Sequence, residues 1–546
     1  MIPFHISLKK AALLFCVILA YTSCTNLEVD VVSELTPSNF PTNASQFDAA
    51  TGGVYSKLAA EYCGEYWRLQ ELSTDEAIIP ARDGNWDDGG VYRDLHKHIW
   101  TPDHGPVRNI YSWLYGGVSA VNAAMIMMDQ APDSQVKTMK IAQIRFMRAL
   151  FYYFLMDLYG NVPILKQLGD DAVTSPRAEV FAFIEEELKE IVDVLPTART
   201  LENYARPTKW SAYALMAKMY INAQVYIGTA KNNEAIAACD AIINSNLFGL
   251  DSDYMSIFAP DNGPSGKALQ IKETIFAVWY DPIKSTGSLF SRFSLHPEMD
   301  LVGKYSLPST FRPSNCQSTL LEFYLKYDEP GADNRMRMWL RGPQTNAKGE
   351  PIIIRTTKGA LDYNTPEAEK GDIIEWTFGF SDRMTLKTGS NPAAMDVGKD
   401  LLGDAKGIRN IKFWPDPKMD AATRNSSNNI PVFRYADILM MKAEAILRGG
   451  SATQGQTAAD LVNMIRQRAG TSLLNAVTLE ELREERAREF VWENWRRNDM
   501  IRFGEFGKKW ELKDEESPAY RTIFPIPYEQ LRMNSRLAQN PGYPGV

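Results

Sequence analysis

The sequence predicts a mainly α-helical protein with long loop-rich insertions and a few short strands. Apolar residues recur at three- and four-residue spacing over both ends of the chain, whereas residues from about 248 to 424 are rich in Gly, Pro, Asn and Asp. The chain has 546 residues, of which 45% are apolar and 11% aromatic, enough to fill a sizeable core. Disordered, collagenous and disulfide-dense classes are therefore excluded.

The chain begins with a segment typical of an export signal. Lys9 and Lys10 precede an apolar run at residues 11–20, which is too short to span a bilayer core of about 30 Å. Two small residues and then Cys24 follow, as in a bacterial lipoprotein. We therefore predict a signal peptide at residues 1–23 and lipidation of Cys24.

One position departs from the lipoprotein pattern, because Tyr21 occupies the place where Leu is usual. Plain secretion and a buried N-terminal helix are the alternatives. The whole chain has a net charge of −8, and removal of two lysines would make it −10. Because the charge is negative, attachment to a membrane would depend on lipid and not on basic residues. The same acidic balance argues against nucleic acid as a partner.

Helical periodicity recurs along the rest of the chain, with cap signals such as Asn43 before a helix and Gly160 and Gly228 after one. Two short apolar runs, at 274–279 and 351–355, resemble strands. The predicted helices cover residues 43–60, 107–130, 133–159, 177–194, 209–227, 233–243, 435–447, 458–469 and 479–503.

Alanines such as Ala212, Ala217, Ala235 and Ala238 place small side chains where neighbouring helices must approach closely. This pattern resembles the tetratricopeptide helix pair, although no clean 34-residue repeat is visible. We predict a tetratricopeptide-like helical scaffold in a single domain. Its predicted extent is residues 24–546, with a helical part at about 36–247, an insertion at about 248–424 and a second helical part at about 425–546.

Residues 82–90 form a polar, glycine-rich segment around Trp86. The indole is poorly suited to a core there but well suited to sugar recognition, because the C–H face of a pyranose stacks on it while Asp83, Asn85 and Asp87 take the hydroxyls. The alternative is that Trp86 folds back onto its own loop.

The other aromatic residues divide by context. Trp113, Trp210, Trp492 and Trp495 lie in helical patterns and are predicted to be core, and Trp279 ends a strand-like run and is predicted to be packed. Further ligand candidates lie in the irregular middle of the chain: Phe290, Phe293, Tyr305, Trp339, Trp376 and Trp414.

Signatures of catalysis and nucleotide binding are absent from the sequence: there is no Walker A loop, GxGxxG, GxSxG or HExxH. His96, His98 and His104 are close together but fit no standard zinc spacing, so they are either a metal site or hydrogen-bonding histidines. Three cysteines follow Cys24, which allows at most one bridge, and buried free thiols are the simpler interpretation: Cys63, Cys239 and Cys316.

Several motifs resemble those of the SusD-like (RagB/SusD) family of Bacteroidetes outer-membrane lipoproteins. The longest runs from Gln143 to Ile164 and contains Arg145, Arg148, Asp157 and Tyr159. The others follow in the family's order and lie at 433–445, 484–490, 493–504, 524–531 and 540–543.

The resemblance implies a lipoprotein that faces the cell exterior at the outer membrane and caps a SusC-like TonB-dependent transporter. It implies capture of oligosaccharides, or of peptides in some relatives, without catalysis or a cofactor. Three alternatives to oligosaccharide capture remain: a peptide-binding relative, a surface glycosidase and a lid with a purely structural role.

The resemblance also assigns roles to residues. Arginines and acids of the motifs, among them Arg496, Arg497 and Asp499, are expected in buried scaffold networks. The loop at 82–88 is expected to supply a ligand-stacking aromatic, Trp86, with Asp83, Asn85 and Asp87 beside it. Further stacking aromatics are expected from residues 280–340, where this chain offers Phe290, Phe293, Tyr305 and Trp339.

Overall fold

The computed structural model describes residues 40–327 and 332–546. The predicted signal peptide and Cys24 lie outside the described residues. The described N-terminal part is built from nine α-helices: α1 Ala44–Tyr62, α2 Glu65–Glu71, α3 Val91–His96, α4 Gly105–Gln130, α5 Gln135–Tyr159, α6 Arg177–Ile191, α7 Lys209–Ile221, α8 Ala223–Ile227 and α9 Asn232–Ile243.

The described helices of the insertion are short: α10 Phe290–Ser294, α11 Leu301–Tyr305, α12 Leu321–Tyr324, α13 Lys358–Leu361 and α14 Leu401–Asp404. The C-terminal part contains α15 Tyr435–Leu447, α16 Ala458–Ala469, α17 Leu479–Phe490, α18 Arg496–Arg502 and α19 Tyr528–Met533. The strands are β1 Val162–Pro163, β2 Thr174–Ser175, β3 Thr274–Val278, β4 Trp339–Leu340, β5 Gly342–Pro343, β6 Ile353–Thr357, β7 Ile373–Thr377, β8 Gly379–Phe380, β9 Arg409–Asn410 and β10 Ile430–Arg434.

The long helices pack side by side in series, as the predicted mainly α-helical, tetratricopeptide-like scaffold requires. Helices α4, α5 and α6 form one such series, and α7, α9 and α15 form another. Gly117 allows α4 to approach α5, because a Cβ atom there would lie 2.4 Å from the Phe151 ring. The alanines of α7 and α9, such as Ala217 and Ala235, are fully buried between helices. No helix of the described residues is both long and apolar enough to span a membrane.

Two predicted helices are each divided in the structure. The segment 209–227 breaks at Asn222, and 479–503 breaks between Phe490 and Arg496. In the second break Trp492 and Asn494 have left-handed backbone angles, with φ of 63° and 68°. The break turns the Trp492 main-chain N–H toward the buried Glu76 carboxylate, to which it donates a hydrogen bond. Tertiary contacts therefore override the local helical pattern there.

The insertion is anchored to the helical scaffold by one central sheet and carries a smaller core of its own. Strand β3 pairs with β10 in antiparallel register, and β10 is buried at all five positions. The hairpin β6–β7 lies at the surface. The smaller core is apolar and includes Leu295, Leu307, Phe311, Phe378 and Phe380. The predicted domain boundaries stay a prediction.

Buried ion networks join the C-terminal helices to the rest, as the family motifs imply. Arg496 pairs with Asp75 at 2.7 Å, and Asp499 accepts hydrogen bonds from Arg486 and Arg502. Within the N-terminal part, buried Arg148 pairs with Glu187, whereas Arg145 is only half-buried and pairs with Glu187 and with the exposed Glu190. Arg497 pairs with Asp157, and the Tyr159 hydroxyl donates to the Val107 carbonyl. These motif residues are thus placed in the scaffold.

Candidate functional site

The loop that carries Trp86 has an unusual backbone. Six of the eight residues from 83 to 90 have left-handed φ angles, namely Asp83, Gly84, Trp86, Asp88, Gly89 and Gly90. Left-handed angles are easy for glycine but costly for Trp86, at φ 60°, so the surrounding structure must hold this conformation. Such strain is concentrated at functional sites in proteins.

Contacts from the insertion hold the loop. The Asp83 carboxylate accepts a hydrogen bond from the Lys399 main-chain N–H at 3.0 Å and pairs with the Lys387 ammonium. The Asp83 main-chain N–H donates to the Asp396 carboxylate. Arg82 and Asn85 close a tight turn through two main-chain hydrogen bonds of 2.8 and 3.0 Å. Asp83 thus fixes the loop, whereas Asn85 is exposed and Asp87 half-buried beside Trp86.

The Trp86 side chain is half-buried, and its orientation is fixed by two contacts. Its indole N–H donates to the Ser314 carbonyl at 3.2 Å. Its ring meets Phe293 edge to face, with the ring centres 5.8 Å apart at 85°. Ser314 belongs to the same unit, because its main-chain N–H donates to the Arg292 carbonyl at 2.7 Å.

The structure brings together only part of the predicted set of stacking residues. All four rings predicted from residues 280–340 are at least 93% buried: Phe293 lies against Trp86, whereas Phe290, Tyr305 and Trp339 are packed on other rings. Phe290 stacks on Phe413 at 4.2 Å, Tyr305 meets Trp414 edge-on, and Trp339 lies between Tyr324 and Tyr327. Covered ring faces offer nothing to a ligand, so the structure differs here from the expectation that these four rings stack on a ligand. Phe293 can act only through its contact with Trp86.

Arginines that the sequence analysis did not select surround the Phe293 ring. The guanidinium carbons of Arg68 and Arg292 lie 4.7 and 5.0 Å from its centre. Such contacts are attractive because the ring face is negative. Arg424 joins them, since its Nη1 donates to the Arg312 carbonyl and lies 3.5 Å from Ser314 Oγ. We call this group the Trp86 surface: Trp86, Phe293, Ser314, Arg68, Arg292 and Arg424.

A separate cavity lies beside Trp279. Trp279 was predicted to be packed, but its side chain is 37% exposed, because β3 ends at Val278 and the next residue leaves the sheet. The cavity beside it measures about 450 Å³. Its lining includes Tyr55, Arg206 and Asp48, and Arg206 pairs with Asp48 at 3.3 Å.

The histidines and cysteines of the described chain are buried structural groups. His96, His98 and His104 each place Nε2 2.8–3.0 Å from a main-chain carbonyl, and burial lowers the pKa of His96 to about 4. Cys63, Cys239 and Cys316 are free and buried. Among the described residues no group of three or more His, Cys, Asp or Glu side chains is arranged to hold a metal ion.

The fold and this site define a class: a helical-repeat scaffold that presents a rigidly held aromatic loop for binding. Two family models match the chain, "SusD family" over residues 330–543 and "Starch-binding associating with outer membrane" over residues 32–221. The chain belongs to the SusD-like family.

Relatives extend over nearly the whole chain. The starch-binding protein SusD of Bacteroides thetaiotaomicron is 26% identical over 498 residues, which cover 87% of this chain and 85% of that protein. SusD-like protein P2 of Formosa agariphila is 23% identical and covers 98% of this chain and 100% of its own length.

Solved structures show the same fold. A surface glycan-binding protein A of Bacteroides thetaiotaomicron, in complex with laminarihexaose, has a TM-score of 0.66 at 20% identity and covers 91% of this chain and 99% of its own. A SusD superfamily protein of Parabacteroides distasonis has a TM-score of 0.68 at 21% identity, with 93% and 100% coverage.

Proposed function

We propose that this protein is a cell-surface lipoprotein that captures oligosaccharides and delivers them to a SusC-like TonB-dependent transporter of the outer membrane. The observation that carries the proposal is the half-exposed Trp86 ring, held on a strained loop at the surface. It is supported by relatives whose names describe starch-binding and glycan-binding proteins, and by the family model described as associating with the outer membrane.

The geometry of Trp86 favours stacking over hydrogen bonding. Its indole N–H is already used by Ser314, so the group left for a ligand is the ring face. A pyranose presents an apolar C–H face to such a ring, while the exposed Asn85 amide and the Asp87 carboxylate can bind its hydroxyls. Phe293 contributes by fixing the orientation of Trp86.

Binding without cleavage is part of the proposal. The Trp86 surface combines one aromatic face with guanidinium groups, and the exposed Asn85 amide belongs to the same loop as Trp86, which suits capture. The predicted lipid on Cys24 would keep the captured sugar at the membrane, next to the transporter.

The test is the binding of Trp86→Ala to a polysaccharide panel by affinity electrophoresis and calorimetry. Aromatic stacking contributes about 1–3 kcal/mol, so the affinity should fall at least about fivefold. Trp210→Ala is a matched control, because Trp210 is also partly buried and donates its indole N–H to a main-chain carbonyl, at 2.8 Å.

Three outcomes would contradict parts of the proposal. Unchanged affinity of Trp86→Ala would remove the site. Binding of peptides and of no glycan would favour the peptide-capturing alternative, and release of shorter products from a bound glycan would show a glycosidase. Delivery is tested separately, by co-purification of the lipidated protein with an outer-membrane transporter.

A further inference from the structure

We infer that the Trp86 surface binds an anionic glycan, one that carries carboxylate or sulfate groups, and that Arg68, Arg292 and Arg424 bind the anion. The inference rests on the proposed function, because it names the chemical class of sugar that the same surface would hold. It is carried by the placement of these three side chains and by their lack of ion-pair partners.

The three guanidinium groups converge beside the ring on which a sugar would stack. Arg68 and Arg292 both lie within 5.0 Å of the centre of the Phe293 ring. The edge-to-face contact of that ring with Trp86 places the indole next to them. Arg424 approaches through Ser314, whose carbonyl accepts the Trp86 indole N–H. A sugar stacked on Trp86 would therefore carry its acidic substituents within reach of the arginines.

These arginines have no acidic partner in the described parts of the chain. Glu61 lies near Arg68 and Asp88 near Tyr92, but no carboxylate of residues 40–327 or 332–546 comes within 4.0 Å of a nitrogen of Arg68, Arg292 or Arg424. By contrast, the buried Arg434 pairs with three glutamates.

The positive charges of Arg68 and Arg424 also act on Arg292. The pKa of Arg292 is lowered, first by its partial burial and then by the charges of Arg424 and Arg68. Like charges held together at a surface repel unless an anion lies between them. Guanidinium groups form the strongest such contacts, with two parallel hydrogen bonds to a carboxylate or a sulfate-like oxyanion.

Two further arginines lie behind the same surface. Arg82 and Arg409 are fully buried, and their charges act on the buried Cys316 thiol together with those of Arg68 and Arg292, so that they lower its pKa against the larger effect of burial, which raises it. Arg409 is bound by neutral groups, including Asn315 Oδ1 at 2.9 Å, and Arg82 has the Asp404 carboxylate at 4.0 Å. Both add positive potential near the half-buried Arg68 and Arg292, although the whole chain carries a net charge of −8.

The inference is tested with the double variant R292Q/R424Q, which removes two charges from groups that make few contacts with the core. The probes are polygalacturonate for carboxylate, chondroitin sulfate for sulfate, and galactan and starch as neutral glycans, measured at low and high ionic strength. The unmodified protein should bind an acidic probe more tightly than the neutral ones and lose affinity with salt. The variant should bind the acidic probe at least about tenfold more weakly.

Arg532→Gln, compared with the single variant R292Q, is the matched control for the loss of one charge, because the Arg532 guanidinium also lies beside an aromatic ring, 5.4 Å from the centre of Tyr528 on α19. Thermal unfolding of all variants excludes loss of fold.

Preference for a neutral glycan, with R292Q/R424Q binding unchanged, would overturn the anionic inference while leaving the proposed function intact. If the protein bound polyglutamate and no glycan, the inference that its anionic ligand is a sugar would be overturned. No binding to any glycan would contradict the proposed function itself.

Discussion

Phe293 supports Trp86 through an edge-to-face contact, with ring centres 5.8 Å apart, and holds the guanidinium of Arg68 over its own face. One buried ring thus positions both the stacking group and a cation of the Trp86 surface. A sugar site built in this way depends on Phe293 without touching it.

We expect Phe293→Leu to weaken glycan binding while the protein stays folded. Leucine leaves part of the space of the buried ring unfilled, so the free energy of unfolding should fall by about 1–2 kcal/mol. The edge contact with Trp86 and both cation–π contacts would be lost, and the affinity should fall severalfold. Calorimetry and denaturant unfolding measure the two effects. An unaltered affinity would mean that the loop backbone alone orients Trp86.

A buried carboxyl pair predicts how stability depends on pH. Glu71 and Glu76 are fully buried near the break after α17, and burial raises the pKa of Glu71 to about 8. The pKa of Glu76 is raised by burial and then by Glu71. Because the folded state holds protons that the unfolded state has lost, the free energy of unfolding should fall as pH rises from about 6.5 to 8.

Denaturant unfolding at pH 6.5 and pH 8 would measure this effect, and Glu76→Gln should flatten the dependence by removing one titrating group. Buried His96, whose pKa is lowered to about 4, acts in the opposite direction but only below pH 6.5. An equal slope in the variant and the unmodified protein would contradict the assignment to this pair.

Close approach of α4 and α5 predicts opposite effects for two adjacent glycines. A Cβ at Gly117 would lie 2.4 Å from the Phe151 ring, whereas a Cβ at Gly116 meets nothing within 4 Å. Gly117→Ala should therefore destabilise the protein by about 1–3 kcal/mol. Gly116→Ala should stabilise it by about 0.5–1 kcal/mol, because alanine loses less conformational entropy in a helix. Similar melting temperatures for both variants would show that α4 shifts to relieve the contact.

Much of the scaffold was predictable because its signals are local. Helices α1, α15 and α16 begin and end within two residues of their predicted bounds, since caps and apolar spacing lie within the helices themselves. The break at Trp492 was not predictable, because it depends on Glu76, which is 416 residues away in sequence.

In the candidate site, too, local features were predictable from the sequence and long-range contacts were not. The glycine-rich segment around Trp86 was visible locally. The arginines were not, because Arg68, Arg292 and Arg424 come from three distant segments and meet only through Phe293 and Ser314. The burial of Phe290, Tyr305 and Trp339 likewise depends on partner rings such as Phe413, which only the fold brings near.

The ion network that joins β10 to α17 predicts a large difference between two arginine substitutions. Arg434 is buried and pairs with Glu273, Glu489 and Glu493, so Arg434→Met leaves buried carboxylates without their cation. Removing one partner of a buried pair typically costs about 3–5 kcal/mol.

Arg337 pairs with Asp253 at 3.0 Å on the surface, where both side chains are more than half exposed. Arg337→Met should therefore change the free energy of unfolding by no more than about 1 kcal/mol, because water screens such a pair. Denaturant unfolding of the two variants under one buffer condition compares them directly. If Arg434→Met were no more destabilising than Arg337→Met, Arg468 and Arg335, which also contact Glu489, would be sufficient to neutralise the network.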